Sequence, residues 1–168
     1  ARGLFRVVVL TVGLFLLAGR LDYWQAWLFA GTSFAVGLLM AALFVGKADL
    51  IEERVRPGPG VKWWDHLFFN AYVTALLAAL VLAALDAGRF RWSPELPVVV
   101  YVVAYAVLMV AASISIAAMH ANAFFSSMVR IQNDRGHRVV SGGPYRVVRH
   151  PGYVGAILLC PAGVVALG

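Results

Sequence analysis

The sequence predicts an all-α fold, a polytopic transmembrane helical bundle with four complete spans and the start of a fifth. Three observations carry that expectation. The 168 residues are 62% hydrophobic and only 13% charged, outside the range of ordinary soluble domains. The apolar residues are gathered into the long runs Leu4–Ala18, Trp24–Val45, Leu67–Leu85 and Val98–Met119, which are almost free of charge. Finally, the lysines and arginines fall unevenly on alternating sides of those runs.

Each run can be justified in turn. A helix needs about 20 apolar residues to cross roughly 30 Å of hydrocarbon. The first run is short, but it extends to Arg2 and Leu21 if its arginines snorkel. Arg2 and Arg6 ahead of an apolar core also have the shape of a cleaved signal peptide. Against that, Arg20 follows at once and no clear small-x-small site precedes it. Gly19–Tyr23 joins the first two runs, and Trp24 and Trp27 are placed for an interfacial aromatic belt. Lys47–His66 is the first long loop. Its opening, Lys47–Arg56, reads as a short surface helix that breaks at Pro57-Gly58-Pro59-Gly60 and returns through Trp63 and Trp64. Asp86–Pro97 is a short connection in which Pro94 and Pro97 stop a helix. The last apolar run begins at Gly152.

Small residues at four-residue spacing permit close helix approach in lipid. Ala71, Ala75, Ala79 and Ala83 do this in the third run, Ser113 and Ala117 in the fourth, and Gly37 and Ala41 in the second. These stripes are expected to pack.

The net charge of +6 resembles a nucleic-acid signal until the charges are placed. With every run crossing, one side receives Arg2, Arg6, Lys47, Arg54, Arg56, Lys62, Arg130, Arg135, Arg138, Arg146 and Arg149. The other receives only Arg20, Arg89 and Arg91. Such a bias marks the first side, with loops 47–66 and 120–150, as cytoplasmic. The basic excess then reflects topology and contact with anionic membrane lipids, and no nucleic-acid partner is expected. No Asp, Glu, Lys, Arg or His lies mid-span, which disfavours an ion-coupled transporter. Cys160 is the only cysteine, so a disulfide within the chain and a Cys-rich metal site are excluded, and no metal is expected.

The segment His120–His150 differs in kind. It is longer and more polar than a plain connection needs, and long loops are often functional. It ends in Gly143-Pro144-Tyr145-Arg146-Val147-Val148-Arg149-His150-Pro151-Gly152-Tyr153-Val154-Gly155, where a polar loop becomes an apolar helix. Pro151 suits the first helical position. The amides of Gly152, Tyr153 and Val154 are then expected to point out of the helix start, making with Arg149 a seat for an anionic group. Tyr145 and Tyr153 offer faces on which a nucleobase can stack, and His150 can donate or accept near neutral pH. Singly, each residue has a plainer reading as a snorkelling arginine, a belt tyrosine or a helix opener. Together they suit a ligand with an anion at one end and a base at the other.

Gly143–Gly155 resembles the Arg-His-Pro-x-Tyr signature of isoprenylcysteine carboxyl methyltransferases and the related phospholipid methyltransferases. The likeness extends upstream through Asn122–Gly136 and, less specifically, to Glu52-Glu53-Arg54 and Gly58–Asp65. It looks like the bacterial branch, which implies a bacterial inner membrane. The resemblance implies S-adenosylmethionine as methyl donor. It places Arg149, His150, Pro151 and Tyr153 at the cofactor with the Gly143-Pro144-Tyr145 turn, and Gly152 and Val154 contribute through the helix start. It implies carboxyl methylation of a lipidic or prenylated acceptor. Asn122, Phe124 and Phe125 stand on the acceptor side. Arg130 would pair with an acceptor carboxylate or simply snorkel, and His150 is the one nearby group able to assist an amine acceptor. The whole chain, 1–168, reads as one membrane domain, with 120–155 carrying the site. It stops at Gly168, about 17 residues into its last run, whereas the family continues into a returning helix, so an incomplete form is expected. The alternatives are a sterol-reductase-like membrane enzyme using NADPH and a non-catalytic scaffold whose basic loops hold lipid.

Overall fold

The computed structural model describes residues 2–47, 51 and 60–168. Its helices are α1 (Arg2–Ala18), α2 (Trp24–Leu43), α3 (Trp63–Ala83), α4 (Val98–Ala121) and α5 (Pro151–Leu167), and no strand occurs among the described residues. The expected surface helix at 47–56 falls almost entirely outside those residues, as do Glu52-Glu53-Arg54 and Gly58-Pro59.

The all-helical, membrane-type architecture is as expected, while several boundaries move. Three helices are long and apolar enough to cross a bilayer: α2, α4, and α3 together with its continuation to Phe90. The other two, α1 and α5, have 17 residues each, about 26 Å of rise. The first helix stops at Ala18 and does not reach Leu21. Gly19 there takes a left-handed φ of 68°, with its N–H on the carbonyl of Phe15 at 2.9 Å, a C-terminal stop that favours glycine.

The third helix begins four residues before the apolar run, at Trp63, and so takes Asp65 into its first turn. At its other end, Asp86 does not begin an irregular connection. Residues Ala84–Phe90 continue as a π-helical stretch. The widened coil brings Gly88 onto α1, where a Cβ would lie 2.6 Å from the Cβ of Ala18. The following loop is then held by Asp86, whose carboxylate accepts from the N–H and the Oγ of Ser93 at 2.8 and 2.6 Å.

Successive helices run in opposite directions, so the bundle has two distinct ends. One gathers the starts of α1, α3 and α5 with the ends of α2 and α4. There Leu4 lies against Gly37, and the rings of Phe44 and His120 are 6.4 Å apart. At the other end Leu14, Ala18, Tyr23, Ala26, Leu80, Ala83, Ala84 and Leu167 form a core drawn from four helices. The Tyr23 hydroxyl donates to the carbonyl of Leu167. Burial pushes that phenol well above its ordinary range, with the Tyr101 hydroxyl adding to the effect, since desolvation disfavours the phenolate.

The most extensive helix pair is α4 with α5. Its seam buries Ala104, Leu108, Ala162 and Ala166. Further along, Gly155 meets Ser115 so closely that a Cβ would collide with the serine Oγ and sit 3.2 Å from the carbonyl of Ala111. The expected stripes are corrected here. Ala71, Ala75, Ser113, Ala117 and Ala41 are exposed, and only the Ala79–Ala83 end of the α3 stripe turns inward. Regular spacing defines a face, but a partner helix must lie on that face for it to be buried. Large apolar side chains such as Phe5, Phe34, Phe68 and Ile157 are exposed, forming the kind of surface that hydrocarbon covers.

Candidate functional site

The site is built on the start of α5. His150 is its N-cap residue, and Pro151 follows as the first helical residue, fully buried. The amides of Tyr153 and Val154 both donate to the carbonyl of His150, at 3.0 and 3.3 Å. The expectation of three outward amides is corrected accordingly. The cap carbonyl consumes two of them, and the amide of Gly152 alone has no partner among the described residues. No side chain caps this helix, so the Gly152 N–H retains the positive end of the dipole.

The His150 and Tyr153 rings stack on each other with centroids 5.5 Å apart and planes inclined by 29°. Both are exposed, Tyr153 to 56%, and Arg149 beside them is exposed as well. Behind this open face stands Phe125. A Cβ at Gly152 would lie 2.7 Å from its Cζ, so the aromatic ring occupies the space that glycine leaves.

The preceding turn, Gly143–Arg146, is a 3-10 coil stitched to the end of α4. Gly143 has φ 58° and approaches Ala121 so closely that a Cβ would be 3.1 Å from the alanine Cβ. Asn122, the C-cap of α4, donates through Nδ2 to the Tyr145 hydroxyl at 3.1 Å. Its Oδ1 accepts from the N–H of Phe124 at 2.9 Å. Both ends of the Asn122 side chain are therefore engaged in joining α4 to the turn. Pro144 and Tyr145 are half-buried within it.

The intervening loop is folded on itself around Gln132, which is 1% exposed. Gln132 Nε2 donates to the carbonyl of Phe124 at 2.7 Å, and its Oε1 accepts from Arg135 at 2.7 Å. Its N–H donates to His137 Nδ1 at 3.1 Å. The His137 ring stacks on Phe124 at 4.9 Å, and the Arg135 guanidinium lies over Phe124 at 5.9 Å. A carboxylate from α3 ties this loop down: Asp65 is buried, and its Oδ2 accepts from the N–H of Val129 at 2.6 Å. The adjacent Arg130 is only 8% exposed and has partners of its own, so it is not the snorkelling arginine of the plainer reading.

The structure thus brings together Asn122 with Tyr145, Phe125 with Gly152, and His150 with Tyr153. It draws Phe124 away to His137 and Arg135. Sequence reasoning missed Asp65, Gln132, Arg135 and His137 as the residues that shape the loop. The one available signal was an acid, Asp65, directly after Trp63-Trp64 at a membrane edge, where a free carboxylate is costly. Two cavities lie elsewhere. An apolar groove of about 390 Å³ runs between α4 and α5 past Val103 and Pro161. A polar cavity of about 90 Å³ sits at the far end of the bundle.

The fold and this arrangement define a membrane helical protein whose polar features converge at one helix start. The model of the isoprenylcysteine carboxyl methyltransferase (ICMT) family matches residues 98–167, that is α4, α5 and the whole loop between them. The chain is 27% identical over 134 residues to a probable protein-S-isoprenylcysteine O-methyltransferase of Oryza sativa subsp. indica, covering 80% of this chain and 66% of that protein. A protein of the same description from Oryza sativa subsp. japonica matches equally. The chain therefore spans just under two thirds of the length of these curated relatives. No solved structure gives a significant match. These findings bear out the family resemblance: the chain is ICMT-like. None of them singles out a bacterial branch.

Proposed function

We propose that this chain carries the signature portion of an S-adenosylmethionine-dependent membrane methyltransferase. The acceptor is the carboxylate of a prenylated or otherwise lipidic molecule. The reaction face is the bundle end bearing the basic loops, which the charge bias assigns to the cytoplasm. The observation that carries the reading is the family match over 98–167, which encloses the Gly143 turn, the His150–Tyr153 stack and the glycine opening at 152.

The residues present fit one wall of a nucleoside site. The stacked rings of His150 and Tyr153 offer an exposed aromatic face for an adenine. The Gly152 amide and the Arg149 guanidinium suit a carboxylate. Phe125 closes the space behind Gly152, so a ligand approaches from the open side. Pro144 and Tyr145 hold the turn beside it, through the bond to Asn122.

When bound, S-adenosylmethionine supplies a methyl carbon attached to a positively charged sulfur. The chain's own task is placement. An acceptor carboxylate carries its attacking lone pair already, so no proton has to be removed and His150 need not act as a base. Phe125, against the start of α5, lines the acceptor's approach, while Phe124 and the buried Arg130 shape the loop behind it. The contribution is then orientation of donor and acceptor. The comparisons favour neither the reductase nor the scaffold reading.

The test is titration of the full-length, detergent-solubilised protein with S-adenosylmethionine and, separately, with NADPH. Saturable binding of the first and not the second is expected, and His150→Ala should weaken it at least several-fold. Saturable binding of neither ligand would overturn the proposal, as would binding of NADPH alone.

A further inference from the structure

Each polar group of Asn122 is engaged by the chain itself. Its N–H donates to the carbonyl of Ala118 at 3.2 Å, and its carbonyl accepts from the N–H of Phe125 at 3.1 Å. Its side chain reaches from the N–H of Phe124 to the hydroxyl of Tyr145. Such a residue is a joint between segments and not a contact for the acceptor. We infer that Asn122 is a positioning residue: it sets the direction of the Tyr145 hydroxyl, so that the phenol donates its proton to a carboxylate of the bound ligand. The inference rests on the methyltransferase reading, in which the methyl donor and the acceptor both carry a carboxylate.

The direction follows from what each group is able to do. A backbone N–H only donates, so the Asn122 atom facing Phe124 at 2.9 Å is the oxygen Oδ1. The other end of the carboxamide is then the nitrogen Nδ2, which also only donates. Opposite it, at 3.1 Å, stands the Tyr145 oxygen, which is obliged to accept. A phenol carries one proton, and here that proton cannot lie along the line to Asn122. The bond to Phe124, two residues on, is a local side-chain-to-backbone closure. The carboxamide is therefore oriented by its own neighbours, before any ligand arrives.

The chain path gives the proton its destination. Tyr145 lies in the turn Gly143–Arg146, held against α4 where Gly143 meets Ala121. The N–H of Val148 donates to the carbonyl of Pro144 at 3.1 Å, and the chain passes directly into Arg149, His150 and the start of α5. The Gly152 amide and the Arg149 guanidinium there suit a carboxylate. A directed O–H on the segment leading to them adds a third donor of the same polarity.

The deciding variant is Asn122→Asp in the full-length, detergent-solubilised protein. It keeps an oxygen for the Phe124 N–H but puts a second acceptor opposite the phenol, whose proton is then drawn back toward residue 122. The tie between α4 and the turn survives, while the direction of the hydroxyl reverses. A purely structural role predicts parental binding and kinetics. The positioning role predicts a loss of about tenfold, with the thermal midpoint close to the parent. The readouts are the Kd of S-adenosylmethionine and the KM for methyl-ester formation on S-farnesylated N-acetylcysteine. A raised Kd with unchanged KM identifies the donor's carboxylate as the partner, and a raised KM with unchanged Kd identifies the acceptor's. In a Tyr145→Phe background, which lacks the proton, Asn122→Asp should cost nothing further. Parental Kd and KM in Asn122→Asp, or additive losses with Tyr145→Phe, overturn the inference and leave the methyltransferase reading standing. A parent protein that binds no S-adenosylmethionine overturns both. If Asn122→Asp does not fold, Asn122→Ala combined with Tyr145→Phe decides: a double variant no worse than the weaker single variant supports the inference, and additive losses overturn it.

Discussion

The ring of Phe125 stands where the side chain of residue 152 would be: a Cβ on Gly152 would lie 2.7 and 2.8 Å from its Cζ and Cε2. The loop that leaves α4 and the helix that carries Tyr153 are thereby in direct contact at Gly152, whose amide has no partner among the described residues.

Gly152→Ala should therefore displace Phe125 or tilt the start of α5. Overpacking of this kind costs about 1–3 kcal/mol. Thermal unfolding in detergent should show a lowered midpoint, and S-adenosylmethionine affinity should fall with it. Adding Phe125→Leu should recover much of the midpoint. A Gly152→Ala variant with an unchanged midpoint would show that the contact is not tight.

Asp65 should be the anchor of the loop. A hydrogen bond to a charged acceptor contributes about 1.5–3 kcal/mol, so Asp65→Ala should lose roughly that amount and Asp65→Asn less. The specific readout is hydrogen exchange at the Val129 amide, which bonds the carboxylate at 2.6 Å. Exchange there should quicken in Asp65→Ala ahead of the core amides of α4.

Tyr153 should matter through its ring. Its partner His150 stacks at 5.5 Å, and an aromatic pair contributes about 0.5–1.5 kcal/mol. Tyr153→Ala should weaken S-adenosylmethionine binding by up to about tenfold, whereas Tyr153→Phe should be close to the parent. Equal loss in both variants would move the role to the hydroxyl.

Tyr23 gives a prediction in pH. Its folded-state value is raised above the ordinary 10.0 by burial first, so its neutral form is favoured by folding. The associated stability is complete below pH 10 and is lost as pH rises from there toward the folded value. Tyr23→Phe lacks the bond to the Leu167 carbonyl and should be less stable near neutrality. It should also lose less stability between pH 10 and 11. Parallel pH curves for parent and variant would contradict the assignment.

The helices were legible in the sequence because charge-free runs bounded by Gly, Pro and Trp leave few alternatives in lipid. What escaped was long-range. Asp65 reads as a loop acid until Val129, 64 positions away, is seen to satisfy it. The alanine ladder of α3 reads as a packing stripe, yet the close seam lies on α5, where Gly155 meets Ser115 and Ala162 and Ala166 follow on the same face. At the site, the proline-opened helix was foreseeable from local rules. The sharing of the His150 carbonyl by two amides was not, because it depends on how the cap residue turns. Asn122 was recognisable as a polar residue at a helix end. Its use as a cross-link to Tyr145 required knowing that the turn at 143 folds back.

The Tyr23 grip on the last turn of α5 completes a constraint that begins at Phe125. The rod is braced at both extremities, by a phenol on one carbonyl and by an aromatic stop at Gly152, so axial sliding is blocked in either direction.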